Sequence, residues 1–414
     1  MTDAARTRAT IERLGHQGDG IASGPLFAPR TLPGEIVTGV VQGQSLTDIR
    51  IEQPSEHRVQ APCRHYKSCG GCQLQHVSDD FVAQWKTDIV RNALLSRGLE
   101  TEFRPILTSP AHSRRRATIA VKRTKKGAMA GFHGRASDVI TEIPDCHLLA
   151  PDLMAALPMA EDLAIIGASR KAPLSVTITT SEVGLDVLVR NGKPLDGPLR
   201  IQLAQAVERH KLARLTWDDE PLGMEQPPTQ RFGVARVCPP PGAFLQATPE
   251  GEAALVSAVR DAVGGARRIV DLFAGAGTFS LPLATGAEVH AVEGEREMMQ
   301  ALEQGWRKAQ GLKKVTTETR DLFRNPLLVE DLRKFGQVYD AVVIDPPRAG
   351  AEAQVQELAK AKLPTISYVS CNPITFARDA EVLVSAGYRL NWVQVVDQFR
   401  WSSHTELAAS LSLS

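Results

Sequence analysis

The stretch Arg268-Ile-Val-Asp-Leu-Phe-Ala-Gly-Ala-Gly-Thr278 decides the fold. A run that reads as a buried strand passes without a spacer into a Gly-x-Gly turn, and an apolar helical segment follows at 280–285. Gly275 and Gly277 can adopt positive φ, so the chain can turn sharply and bring its backbone close to a ligand. Working outward toward the C-terminus, strand-like and helix-like segments alternate at 288–292, 297–309, 314–318, 340–345, 352–361, 364–370, 374–386 and 389–396. That alternation predicts an α/β unit with a doubly wound, mainly parallel sheet and helices on both faces.

In such a sheet, ligands bind at the carboxyl ends of the strands. Glu293 ends the strand after the glycine turn, 18 residues beyond Gly275, where an acidic side chain can bind ribose hydroxyls. Asp321 and Asp345 end the next two strands and point to the same crevice. A glycine pair alone also fits an ordinary tight turn; three acidic strand ends argue for a ligand site. The missing third glycine and the Asp-Leu-Phe lead-in favour S-adenosylmethionine over a dinucleotide.

The strand 364–370 runs into Ser370-Cys371-Asn372-Pro373, and Asp345-Pro346-Pro347-Arg348 ends the strand before it. A cysteine there reads either as a small buried residue or as a nucleophile. Beside a methyl donor a thiol has a use. Carbon 5 of uracil is too weak a nucleophile to attack a methylsulfonium, and thiolate addition at carbon 6 makes it a carbanion equivalent. The proton on carbon 5 must then leave to a general base. Glu406, in Ser403-His404-Thr405-Glu406, is the candidate base; it reads equally as a solvated carboxylate near the C-terminus, and His404 as a packing or hydrogen-bonding residue.

Upstream, residues 8–56 read as short strands with Gly-rich turns, the pattern of a small β-barrel. A helical stretch at 79–97 is apolar at Phe81, Trp85, Ile89, Ala93 and Leu94. Residues 102–240 are mixed, with strand-like pieces at 117–122, 129–133, 174–180 and 185–190 and a helical piece at 199–211. The polar run 217–230 reads as a loop, and Pro239-Pro240-Pro241-Gly242 marks the approach to the last unit. Neither an internal repeat nor a low-complexity tract is evident.

Cys63, Cys69 and Cys72 form a C-x5-C-G-G-C group, and Cys146 is the candidate fourth ligand. Four thiolates suit either tetrahedral zinc or a four-iron cluster, spacing does not separate the two, and free thiols are the remaining reading. Six cysteines in 414 residues are too sparse for a disulfide scaffold. Cys238 is left as an inert thiol. The net charge of +1 gives the whole chain no electrostatic pull on nucleic acid. Residues 104–126, however, carry Arg104, Arg114, Arg115, Arg116, Lys122, Arg123, Lys125 and Lys126 and no acid, which reads as a solvated face or a phosphate-binding patch. Phe244 reads as a stacking platform for an extruded base or as a core residue. Residues 1–15 lack a secretory apolar stretch and no run is long enough to span a membrane, so a soluble cytoplasmic protein is expected.

Several stretches together resemble the RNA (uracil-5-)-methyltransferase family, and within it the iron–sulfur 23S ribosomal RNA branch. They are Phe244-Leu-Gln-Ala-Thr248, Asp271-Leu-Phe-Ala-Gly-Ala-Gly-Thr-Phe279, Asp345-Pro-Pro-Arg-Ala-Gly350, Ser370-Cys-Asn-Pro373 and His404-Thr-Glu406. The resemblance covers nearly the whole chain. It implies a TRAM/OB-like RNA-binding β-barrel over 1–57, a central α+β domain carrying an iron–sulfur cluster over 58–245, and a Rossmann-like class I methyltransferase domain over 246–414. It implies that Gln246, Phe273, Thr278, Glu293, Asp321 and Asp345 line an S-adenosylmethionine site, with Cys371 as nucleophile and Glu406 as base. It tips the group of Cys63, Cys69, Cys72 and Cys146 to a [4Fe–4S] cluster. The implied partner is RNA, 23S ribosomal RNA first and tRNA second, acted on by a monomer. A non-catalytic iron–sulfur RNA-binding protein is the reading from another class. Two departures stand out: Thr278 replaces an Asn of several relatives, and Gln398-Phe-Arg-Trp-Ser402 replaces the commoner Pro- and Thr-containing stretch before the base.

Overall fold

The computed structural model describes residues 6–333 and 339–413. The first five residues of the expected 1–57 module and the last residue of the chain lie outside the described residues.

Among the described residues, the first unit is a closed barrel of five strands, Thr7–Leu14, Gly20–Ala22, Leu26–Ala28, Ile36–Gln42 and Ser45–Gln53. Alternate residues turn inward, and Ile11, Ala22, Ala28, Val37 and Leu46 fill its core.

A seven-stranded sheet follows in the spatial order Glu220–Met224, Arg214–Trp217, Gly184–Arg190, Leu174–Ser181, Arg116–Arg123, Ala128–His133 and Ile140–Glu142. Helices Leu157–Gly167 and Gly197–His210 share its core with Ile119, Val176 and Trp217. The run 217–230 departs from the expected loop. Asp218 takes φ +51, a conformation that aspartate tolerates better than most side chains. It turns Arg214–Trp217 back into the strand Glu220–Met224, so the first half of the run is a tight turn and an edge strand, while residues 225–229 stay loop as expected.

The third unit is an eight-stranded sheet ordered Val315–Thr319, Glu288–Glu293, Arg268–Leu272, Ala341–Ile344, Thr365–Ser370, Glu406–Leu413, Tyr388–Asp397, Glu102–Thr108. The first five strands are mutually parallel, and Glu406–Leu413 lies antiparallel between its two neighbours. Helices Pro249–Val263 and Arg296–Lys308 cover one face; Asp79–Leu95, Glu352–Ala361 and Pro373–Ser385 cover the other. Helix Asp79–Leu95 and strand Glu102–Thr108 come from the stretch expected to form the central domain, yet they pack against and extend this sheet. No helix of the described residues is long and apolar enough to cross a membrane.

One buried ion pair ties the added helix to the sheet. Lys86 is fully buried; its Nζ donates to Asp397 Oδ1 at 2.6 Å and to the Phe399 carbonyl at 3.3 Å. Burial pushes the ammonium pKa down and the facing carboxylate resists. Lys86→Met leaves Asp397 buried without its counter-charge and is expected to cost about 3–5 kcal/mol of stability. Urea unfolding measures it; a loss below about 1 kcal/mol would mean that the pair behaves as a surface bridge.

Candidate active site

The turn after strand Arg268–Leu272 is built from successive positive φ values, +61 at Phe273, +54 at Gly275 and +100 at Gly277. A Cβ on Gly277 would lie 2.9 Å from the Leu302 side chain, so this position needs glycine for space as well as conformation. Phe273 holds the left-handed conformation without that freedom, which costs about 1–3 kcal/mol and fits a segment shaped for a ligand. Glu293 braces the turn: its carboxylate accepts from Gly275 N at 3.0 Å and Gly294 N at 2.6 Å. Beneath the turn, Ser280 Oγ donates to the buried Asp271 at 2.5 Å. Burial, opposed by that hydrogen bond, lifts the Asp271 pKa to about 7.

These strand ends open onto a cavity of about 590 Å³. The eight residues singled out from sequence, Gln246, Phe273, Thr278, Glu293, Asp321, Asp345, Cys371 and Glu406, all line it. Arg114, Phe244, Phe323, Arg348, Phe399 and His404 line it as well. Asp321 is exposed at the rim and caps its own turn, accepting from Phe323 N at 3.0 Å. Phe244 is 63% exposed, which removes the reading of a core phenylalanine.

Cys371 and Glu406 come from adjacent antiparallel strands. Ser370 pairs with Leu407 in the ladder, so the residue after Ser370 and the residue before Leu407 meet at the same edge. Glu406 is buried, which removes the reading of a solvated carboxylate. Burial raises its pKa to about 7, against the Gln398 hydrogen bond and the Arg348 charge. Cys371 is pushed up to about 11 by burial and then by Glu406 and Asp345, with Arg348 opposing. Burial and the carboxylates of Glu406, Asp271 and Glu293 push Asp345 well above the usual range. The cavity floor therefore favours a cation. Arg348 donates to His404 Nδ1 at 2.7 Å, and because a guanidinium only donates, that nitrogen carries no proton. Burial, then the Arg348 charge, lower the His404 pKa.

The four clustered cysteines line a second, smaller cavity with Tyr66, Gln75, Phe132 and His147. Burial, then the neighbouring thiols, raise Cys72 to about 12, although Gln75 opposes. Cys69 and Cys146 are raised chiefly by burial. Among the described residues, no group of three or more His, Cys, Asp or Glu side chains is arranged to hold a metal ion as it stands. Next to this cavity, Gln73 N and Leu74 N both donate to the Trp401 carbonyl, at 2.8 and 2.9 Å. The cysteine segment thereby grips the loop 398–405 that leads to Glu406.

The basic stretch 104–126 is not one exposed patch. Arg104 pairs with Asp261 at 3.0 Å and stacks on Trp392. Arg115 pairs with Glu252 at 2.5 Å, and Arg116 donates to the Gly242 carbonyl at 3.0 Å. Lys122, Lys125 and Lys126 remain exposed around the hairpin between strands Arg116–Arg123 and Ala128–His133.

Residues 241–413 match the family model described as tRNA (Uracil-5-)-methyltransferase. An uncharacterized RNA methyltransferase of Rhizobium meliloti (strain 1021) is 42% identical over 412 residues, covering 97% of this chain and 98% of that protein. The 23S rRNA (uracil(1939)-C(5))-methyltransferase of Shewanella piezotolerans is 34% identical over 440 residues, covering 99% and 96%. The chain belongs to the RNA (uracil-5-)-methyltransferase family. Its fold is that of the Pyrococcus abyssi tRNA (uracil-54, C5)-methyltransferase solved with S-adenosyl-L-homocysteine, at TM-score 0.75 and 23% identity, covering 98% of this chain and 99% of that one.

Around this cavity, sequence reasoning passed over Asp271, Ser280 and Gln398. Each touches a partner rather than lining the cavity itself. The Asp271–Ser280 pair had a local signal, an acidic residue inside an apolar strand; Gln398 had none beyond its departure from the family pattern.

Proposed function

We propose that this chain methylates carbon 5 of a uridine in 23S ribosomal RNA through a covalent adduct on Cys371, with Glu406 as general base. The observation that carries the reading is that Cys371 follows strand Thr365–Ser370, Glu406 opens its antiparallel neighbour, and both line the same cavity as the glycine turn and Glu293. Gln246, Phe273, Thr278, Glu293, Asp321 and Asp345 would hold S-adenosylmethionine, which supplies an electrophilic methyl and a positive charge suited to this acidic floor. Glu293 would bind ribose while bracing the turn. The Cys371 thiolate bonds to carbon 6 of an unstacked uracil and pushes electron density to carbon 5. Carbon 5 takes the methyl group as the donor's sulfur–methyl bond breaks and leaves S-adenosyl-L-homocysteine, Glu406 accepts the carbon 5 proton, and the carbon 6–sulfur bond breaks to release product and thiolate. Phe244 and Phe399, which line the cavity, would offer aromatic faces to an extruded base.

Cys63, Cys69, Cys72 and Cys146 fit a [4Fe–4S] cluster by donor chemistry: four half-buried thiols line one cavity, and as thiolates they are the donor set such a cluster takes. The cluster would serve as a structural tie for the segment that grips loop 398–405. Anaerobically purified protein is expected to be brown with about four irons per chain; colourless protein carrying zinc would contradict this. The division into 1–57, 58–245 and 246–414 is read as RNA-binding barrel, cluster-bearing middle and methyl-transfer domain, with Asp79–Leu95 and Glu102–Thr108 lent to the last.

The ribosomal reading is favoured by a relative of that specificity along nearly the whole chain. A tRNA substrate is the second reading, supported by the family model's description. Mass mapping of 5-methyluridine in ribosomal and transfer RNA from a strain lacking the protein separates them. Loss of one methyluridine from 23S RNA is expected; loss from tRNA alone would overturn the ribosomal assignment. Absence of tritium release from any RNA labelled at uridine carbon 5 would favour a non-catalytic binding protein.

A further inference from the structure

We infer that Gln398 is a positioning residue that locks the base Glu406 and the cofactor-site residue Gln246 into one hydrogen-bonded unit. The inference rests on the reading of Glu406 as base. Gln398 lies just beyond strand Tyr388–Asp397 and is 2% exposed. Its carbonyl Oε1 accepts from the backbone N of Ala247 at 2.7 Å. A peptide N–H can only donate, so this contact fixes which end of the Gln398 amide is oxygen and which is nitrogen. The Nε2 group then donates to Glu406 Oε2 at 2.8 Å and to Gln246 Oε1 at 2.5 Å. Because Nε2 only donates, the atom of Gln246 that meets it must be its carbonyl oxygen. The NH₂ end of Gln246 is thereby left as the donor available to the cavity that Gln246 lines.

The arrangement is built into neighbouring sequence. Gly251 sits in the first turn of helix Pro249–Val263, where a Cβ would lie 2.6 Å from Gln398 Cβ and 3.1 Å from its Oε1. Gln398 also belongs to the stretch where this chain departs from the commoner family pattern. Besides Gln398, the ionisable groups acting on Glu406 or acted on by it are Arg348 and Asp345, beyond strand Ala341–Ile344, and Cys371, beyond strand Thr365–Ser370. Arg348 and Gln398 favour the ionised base; burial opposes it. Gln398 thus sets both the orientation of a cofactor contact and the proton affinity of the base.

The test is tritium release under single-turnover conditions across a pH series, with adenosylmethionine affinity measured separately, on Gln398→Met and Gln398→Glu. Methionine keeps the volume but loses both donated hydrogen bonds. The ionised Glu406 loses support, so its pKa rises and the acid limb of the rate profile moves up by about one pH unit. Gln246 is freed to flip, and adenosylmethionine affinity falls about tenfold. Glutamate keeps the acceptor for Ala247 N but sets a second carboxylate beside Glu406, which moves the limb further up. If the methionine variant unfolds, the glutamate variant still decides, because its limb must shift. A uniform rate loss at every pH with unchanged affinity is what a merely structural side chain would give, and it would overturn the role of Gln398. Glu406→Gln in the otherwise native protein separates the two failures. Stalled turnover there with no limb shift in the Gln398 variants overturns this inference alone; normal turnover there removes the base assignment and this inference together.

Discussion

Cys371→Ala is expected to lower turnover at least about ten-thousandfold while leaving S-adenosylmethionine affinity close to that of the native protein. The substitution deletes one sulfur from a half-buried strand end and leaves the strand ladder through Ser370 intact. The glycine turn, Glu293 and Asp345 are untouched, so the donor site keeps its shape. The chemistry has no substitute, since without addition at carbon 6 the uracil ring does not present a nucleophilic carbon 5. Burial and then the carboxylates of Glu406 and Asp345 push the thiol up to about 11, with Arg348 opposing. Rapid-quench methyl transfer and equilibrium dialysis of adenosylmethionine check both halves. Turnover within tenfold of native would remove Cys371 from the mechanism.

Glu406→Gln is expected to separate methyl transfer from release. Thiolate addition and methylation still proceed, but the proton on carbon 5 has no acceptor, so the methylated RNA stays bonded to the protein. Overall turnover should fall by about 10²–10⁴, the range for loss of a positioned base. A slow band on denaturing gels that contains both RNA and protein is the readout; clean, fast turnover would remove Glu406 from this role. The pH dependence follows from its environment. Burial lifts the carboxyl to about 7, so the base is increasingly ionised as pH rises through 7. Release in the native enzyme is therefore expected to accelerate through that range and level off above it, and the Gln variant should lose that limb.

Much of this site was legible because its signals are local. The strand-to-glycine turn at 268–278, the acidic residues closing the following strands and the cysteine after strand Thr365–Ser370 each occupy a few consecutive positions. The α/β alternation then carries them to one sheet edge. What escaped depends on partners far away in the chain. Strand Glu406–Leu413 carries no β-branched residue, and its insertion between Thr365–Ser370 and Tyr388–Asp397 is a matter of topology, which local pattern does not encode. Strand Glu102–Thr108 joins the same sheet across nearly 300 residues of sequence. The basic stretch misled for a related reason. Arg104, Arg115 and Arg116 read as a patch with their neighbours, but each is occupied by a partner that folding brings from beyond residue 240. Gln398 is the clearest case: its three partners, Gln246, Ala247 and Glu406, meet it only in the folded chain.

The covalent step is tested most directly with RNA in which uridine is replaced by 5-fluorouridine, incubated with the native enzyme and S-adenosylmethionine. Fluorine at carbon 5 cannot leave as a proton does, so the reaction should stop after methylation with carbon 6 still bonded to sulfur. Digestion and mass spectrometry should place a methylated fluorouridine nucleotide on the peptide containing Cys371. The nucleotide on any other residue, or methylated fluorinated RNA released free of protein, would contradict the account.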